Sequence, residues 1–274
     1  MQLNDAHVFC TEEQVASEAA AALGMIQQAH RALGIKPARY RLSLAGPSAK
    51  YVGSEASWKR AAAVLEKALV TAGLPYRAEE GEAAFYGPKI DVQVADSAER
   101  EASIATVQVD FYQPGRFNLE FTGPDNNKHR PVMVHRSIIG SLERAVAHLI
   151  ESHGGAFPPW LAPTQLVVLP VTGVQLPDAE ALARRAVELG LRTELVGAGD
   201  GSLGARIRAN RLVPYQAVIG PAEAATSEVA LRLRDGRKLP PIAATEALAS
   251  ICSQVAANSP QLWGPPGSDP GLRR

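Results

Sequence analysis

His7 and His135, far apart in the sequence, are the first side chains that could do chemistry here, because a neutral imidazole is a common metal ligand. Residue type alone does not establish a metal, since a single histidine is more often packed or solvated. Lys89 closes a Tyr86-Gly87-Pro88-Lys89 turn, where its ammonium could meet a phosphate, a carboxylate or simply water. Arg144 stands one turn into a predicted helix after Gly140-Ser141. Its planar, permanently charged guanidinium suits both phosphate binding and stacking on adenine. Gly140 at that point would let the backbone approach a ligand closely.

These residues need elements to hold them. Apolar residues at helical spacing predict helices over 12–34, with Thr11 as N-cap, and over 54–73. A half-buried strand is read at 40–44. Between 82 and 121 the period changes to two: 89–94 and 106–111 alternate polar and apolar side chains, joined by the charged segment 96–101. Polar side chains on two such adjacent strands make a floor for a polar ligand. A strand at 132–134 and a helix at 138–152 follow. The Pro- and Gly-rich stretch 154–163 reads as an interdomain linker. Beyond it, strands at 165–170, 192–195, 216–219 and 228–233 alternate with helices at 178–189, 203–212 and 245–256, which predicts a small α/β domain with a mixed sheet. Residues 257–274 are expected to be a disordered tail.

Four segments of the first part, 4–14 (NDAHVFCTEEQ), 81–91 (GEAAFYGPKID), 106–111 (TVQVDF) and 130–144 (RPVMVHRSIIGSLER), resemble the threonyl-tRNA synthetases, and the last runs into the third signature motif of class II synthetases. In the second part 203–208 (LGARIR), 213–215 (VPY) and 229–238 (VALRLRDGRK) resemble the anticodon-binding domain of that class. The resemblance implies an α/β (α+β) fold: an antiparallel class II synthetase-like sheet with helices over 1–163, shortened relative to the family, then an anticodon-binding-like domain over 164–256. It implies ATP and threonine as substrates and tRNA as a partner. By resemblance, His7 and His135 are zinc ligands, Asp5 accepts a hydrogen bond from the threonine hydroxyl, Tyr86 contacts the amine, and Gln108 lines the amino-acid and adenosine pocket. Ser141 belongs to the substrate site, Lys89 and Arg144 to catalysis, with Arg144 on the nucleotide. Glu223 and Arg232 fall where the family reads anticodon bases.

The sequence departs from the family in ways that set further expectations. The third zinc ligand, a cysteine, and the arginine that binds the α-phosphate lie upstream in the family; Cys10 is no substitute, because the family has a cysteine there as well. Asn4 stands where the family has an acid, and Leu3 where it has a glutamine. Activity is therefore expected with a protein partner or a homodimer that completes the site. The alternatives are a noncatalytic paralogue that binds tRNA or a synthetase, and an enzyme that activates an amino acid for a carrier. Lysine plus arginine and aspartate plus glutamate number 28 each, so the net charge is zero, which argues against nonspecific binding to nucleic acid through bulk charge. Two cysteines are too few for a disulfide framework, no apolar run approaches a membrane span, and the amino terminus lacks the pattern of a signal peptide, so a cytoplasmic setting is expected.

Overall fold

The computed structural model describes residues 1–264. Two compact units divide after Ser152. The first contains, in order, β1 (Ala6–Cys10), α1 (Val15–Leu33), β2 (Arg39–Leu44), α2 (Glu55–Thr71), β3 (Tyr76–Glu80), β4 (Lys89–Ala95), β5 (Glu101–Asp110), the short α3 (Gln113–Arg116), β6 (Phe121–Thr122), β7 (Lys128–His129), β8 (Val132–Ser137) and α4 (Leu142–His153). Its six-stranded sheet has the order β1-β8-β5-β4-β2-β3, antiparallel except for the parallel β2–β3 pair.

The alternation read from the sequence sorts the two faces of this sheet. Val8, Val134, Val107, Ile90 and Leu42 point to one face, where α1 packs on β5 and β8 and α2 packs on β2, β4 and β5. Polar residues occupy the other face. Ser54 caps α2 by accepting from Ser57 N at 3.2 Å, and Gly34, at φ 72°, closes α1. The first turn after Thr11 is a 3-10 helix, with the Gln14 side chain accepting from Thr11 N at 2.9 Å, so the α-helix starts at Val15, three residues later than expected. Helix α4 likewise starts at Leu142 rather than 138, because Gly140 sits at φ 63° and breaks any earlier helix.

The second unit runs through β9 (Leu166–Pro170), α5 (Leu176–Glu188), β10 (Thr193–Leu195), α6 (Leu203–Ala209), β11 (Tyr215–Ile219), α7 (Pro221–Thr226), β12 (Glu228–Leu233), β13 (Ile242–Ala243) and α8 (Ala244–Ala256). Its sheet, β10-β9-β11-β12-β13, is mixed: β9 is parallel to both neighbours, and β12 is antiparallel to both of its own. Leu166, Val168, Leu182, Leu231, Leu248 and Ile251 are among the residues that form its core. The charge of the buried Arg206 is met by the carbonyls of Pro170, Val171, Val196 and Gly201.

Two expectations change here. The Pro-rich stretch is part of the second unit rather than a free linker, since Arg192 donates to the carbonyls of Trp160 and Ala162 and Gln165 donates to that of Pro159. The chain also stays ordered past α8: Leu262 and Trp263 pack on the core, and Trp263 N donates to Tyr215 Oη at 2.7 Å. The remainder of the expected tail, 265–274, lies outside the described residues. Among the described residues no helix is long and apolar enough to cross a membrane.

Candidate functional site

On the polar face of the first sheet, cross-strand pairing lines up one rank of side chains. His7 of β1 lies opposite His135 of β8, His135 opposite Gln108 of β5, Gln108 opposite Lys89 of β4, and Lys89 opposite Ser43 of β2. Directly paired residues share a face and stand about 5 Å apart, so five strands deliver these groups side by side. The rank two residues along adds Ser137, Thr106, Asp91 and Arg41.

Contacts within the rank are close. The His7 and His135 rings meet edge to face at 4.6 Å, and Tyr86 stacks at a tilt over His135 at 5.0 Å. The Tyr86 hydroxyl donates to Gln108 Oε1 at 2.6 Å, and Gln108 Nε2 donates to Thr106 Oγ1 at 3.2 Å. Asp5 brings a carboxylate oxygen to 3.9 Å from His7 Nε2. Burial, and then the charges of Asp110 and Asp5, push the Tyr86 phenol up to about 12. It therefore remains a donor. The turn that carries Tyr86 lies hard against β5: a Cβ at Gly87 would come within 2.1 Å of Val109 O, so only glycine fits.

Two fully buried carboxylates hold the rank from beneath. Asp110 accepts from the backbone amides of Tyr112 and Gln113, each at 2.8 Å, and its second oxygen lies 3.0 Å from His135 Nε2. A carboxylate only accepts, so Nε2 carries the proton and His135 presents Nδ1 as its open lone pair. Asp91 takes Lys89 Nζ at 2.9 Å, Arg41 at 3.0 Å and the Ser43 hydroxyl at 2.6 Å. Neither acid was among the expected site residues, although period-two alternation places Asp110 on Gln108's face and Asp91 on Lys89's.

The other expected residues lie apart from this rank. Ser141 is 3% exposed, and its Oγ accepts from Arg144 N at 3.2 Å, so the hydroxyl caps α4. Arg144 lines a cavity of about 510 Å³ with Arg100, Glu101, Ile104, His148 and Glu151. Ile104 precedes Gln108 by four residues, about 13 Å of strand. The close approach at Gly140 is to protein, since a Cβ there would meet Ile104 O at 2.7 Å. In the second unit, Glu223 Oε2 accepts from Gly220 N at 3.0 Å and lines one cavity, while Arg232 lines another.

The donor set does not fit a zinc ion by itself. Among the described residues no three His, Cys, Asp or Glu side chains are grouped to hold a metal. Cys10 points to the opposite face of β1 from His7; it is buried, with Sγ 3.9 Å from Val132 O, and burial pushes its thiol up to about 11.

Residues 1–153 match the class II tRNA synthetase core domain (G, H, P, S and T), and residues 165–253 match an anticodon-binding domain. The chain is 44% identical to the threonine–tRNA ligase of Rhodopirellula baltica over 92% of its own length and 34% of that protein. It is 45% identical to the threonine–tRNA ligase of Thermus thermophilus over 84% of its length and 35% of that protein. The chain thus spans about a third of the length of these curated relatives. The solved RNA-binding domain of threonyl-tRNA synthetase from Cryptosporidium parvum is similar with a TM-score of 0.82 and 32% identity, over 92% of this chain and 63% of that one. With a class II core across more than half its length, an anticodon-binding domain after it, and threonine–tRNA ligases as its relatives, the chain belongs to the class II aminoacyl-tRNA synthetases and is threonyl-tRNA synthetase-like.

Proposed function

We propose that this chain provides the threonine-recognising floor and the tRNA-reading domain for ATP-dependent formation of threonyl-tRNA, with a further polypeptide segment completing the core. The rank His7–His135–Gln108–Lys89, with Tyr86 laid over it, is the observation that carries the reading. Asp5 accepts from the threonine hydroxyl, and Tyr86 and Gln108 meet the amino group and the nearby ribose. Valine has no hydroxyl and would leave Asp5 unpaired, the kind of mismatch a polar site rejects strongly.

In the reaction, the threonine carboxylate attacks the α-phosphorus of ATP and pyrophosphate leaves. A tRNA ribose hydroxyl then attacks the carbonyl carbon and AMP leaves. Lys89 and Arg144 lie at two stations along the β4–β5 surface, and their charges offset the negative charge gathering on the phosphates. Ser141 holds Arg144 in place through the cap of α4. His7 and His135 are the two donors this chain offers a metal, and a third would come from the completing segment. The exposed edge of β1 supports that need: among the described strands β1 pairs only with β8, and its own Phe9 is 55% exposed. Uncovered strand edges recruit further strands.

Threonine-dependent ATP–pyrophosphate exchange is the test. Exchange should appear when the chain is mixed with the upstream portion of a related threonine–tRNA ligase, and valine should not replace threonine. No exchange with any such partner would overturn the catalytic reading. A noncatalytic tRNA-binding role is favoured by one feature, the separation of Arg144 from the rank; tRNA binding without exchange would establish it.

A further inference from the structure

His30, in the last turn of α1, takes no part in the rank of side chains or in the proposed reaction, yet it is 2% exposed. Its Nε2 lies 3.1 Å from the carbonyl oxygen of Ile138. A carbonyl only accepts, so Nε2 carries the proton and Nδ1 is a bare acceptor. Burial holds the imidazole below its ordinary value, which keeps the ring neutral. Nδ1 is itself buried, with no hydrogen-bond partner among the described residues. An apolar ring of similar size would leave no such unmet acceptor, so packing alone does not account for a histidine here.

The bond that His30 does make falls on the turn between β8 and α4. Ile138 follows directly on β8, and side chains meet both polar groups of its backbone: Asn4 Oδ1 accepts from its N–H at 2.9 Å, and His30 donates to its carbonyl. Gly140 O accepts from Asn4 N at 2.8 Å, and Gly140 leaves no room for a Cβ against Ile104 O. The turn ends at Ser141, whose hydroxyl accepts from Arg144 N. Asn4 before β1, His30 of α1 and Ile104 of β5 therefore fix the backbone from which α4 departs.

We infer that His30 and Asn4 are positioning residues for Arg144, holding the Ile138 backbone between them and so setting the turn from which α4 and its arginine start. The inference rests on the proposed reaction for the role of Arg144. Asn4 stands where the related family has an acid; an amide oxygen and a carboxylate oxygen both supply the acceptor that Ile138 N needs.

The test uses the full chain mixed with the upstream portion of a related threonine–tRNA ligase, and follows ATP–pyrophosphate exchange with ATP and threonine varied in turn. H30F keeps a ring and loses the donor, while N4A loses the acceptor. Each should lower kcat/KM for ATP at least about tenfold and leave the threonine KM as in the parent, because a misplacement of about 1 Å can cost about a hundredfold. H30Q, whose amide reaches toward the same carbonyl, and N4D, which keeps an acceptor, should restore most of the rate. H30F/N4A should be little worse than either single change, since both act through Ile138. On the chain alone, hydrogen exchange at the Ile138 amide should quicken in H30F although Asn4 is untouched. Circular dichroism and melting point check the fold, and if H30F does not fold, N4A against N4D carries the comparison. Unchanged ATP kinetics in the folded variants, or an Ile138 amide that exchanges as in the parent, overturns the positioning role. So does a loss shared equally by ATP and threonine, which marks general damage to the unit. No exchange in the parent mixture overturns the proposed reaction itself, and the positioning role falls with it.

Discussion

Tyr86 connects most of the candidate site, because its ring covers His135 and its hydroxyl fixes the Gln108 carboxamide. Tyr86→Phe should leave the fold intact and raise the threonine KM severalfold in the completed exchange assay, with a smaller change in kcat. The phenol also predicts a pH dependence. An unfolded tyrosine ionises near 10.0, whereas Tyr86 is pushed up to about 12, so folding favours the neutral form. That contribution is whole below pH 10 and is lost as pH rises through about 12. Denaturant titrations across this window should show the parent losing stability more steeply than Tyr86→Phe. Asp110→Asn disturbs a buried carboxylate with three partners and should cost ~1–3 kcal/mol, read as a lower melting point. Every residue in the His7–Lys89 rank could be picked from sequence by type and resemblance. The acids beneath could not be picked that way, because their importance comes from pairing: Asp91 joins Ser43 and Arg41 only once β2 lies beside β4.

Elements were legible where local chemistry fixes their ends. Ser54 and Gly34 mark helix boundaries, and the alternation in β4 and β5 gives their faces, although β5 begins at Glu101, five residues before the alternation read at 106–111. Strand β3 was not legible: Tyr76–Glu80 is mostly polar and half exposed, and only its parallel partner β2 makes it a strand. The expected helix 203–212 ends instead at Ala209, and Asn210 directs its side-chain amide back to Arg206 O at 2.9 Å. At Gly140 a positive φ coincides with a 2.7 Å approach to β5, so both backbone and space exclude a side chain. Gly140→Ala should destabilise the first unit by about 1–3 kcal/mol, and the start of α4 should loosen with it. Hydrogen exchange at the Leu142 to Ala145 amides would report that loosening.

At the scale of the whole molecule, the two units have separate sheets and separate cores, and the Pro- and Gly-rich stretch 154–163 belongs to the second. Composition pointed to a neutral, globular chain, and length allowed one large domain or two. Composition could not show that the neutrality averages an arginine-lined cavity of the second unit against acids elsewhere, because charge placement is a product of folding. The open edge of β1 makes one further prediction at this scale. Adding the upstream portion of a related ligase should raise the melting point of the first unit more than that of the second, as scanning calorimetry would show.

The contact between Trp263 and Tyr215 also provides a spectroscopic handle. Of the three tryptophans, Trp58 belongs to the first unit, where its indole donates to Val52 O at 2.8 Å, while Trp160 and Trp263 belong to the second. Emission from a Trp58→Phe chain would therefore report the second unit alone. Energy transfer from Tyr215 to Trp263 would fade at the moment the segment beyond α8 leaves the core. Intrinsic fluorescence can thus time the undocking of the carboxyl-terminal segment without an added label.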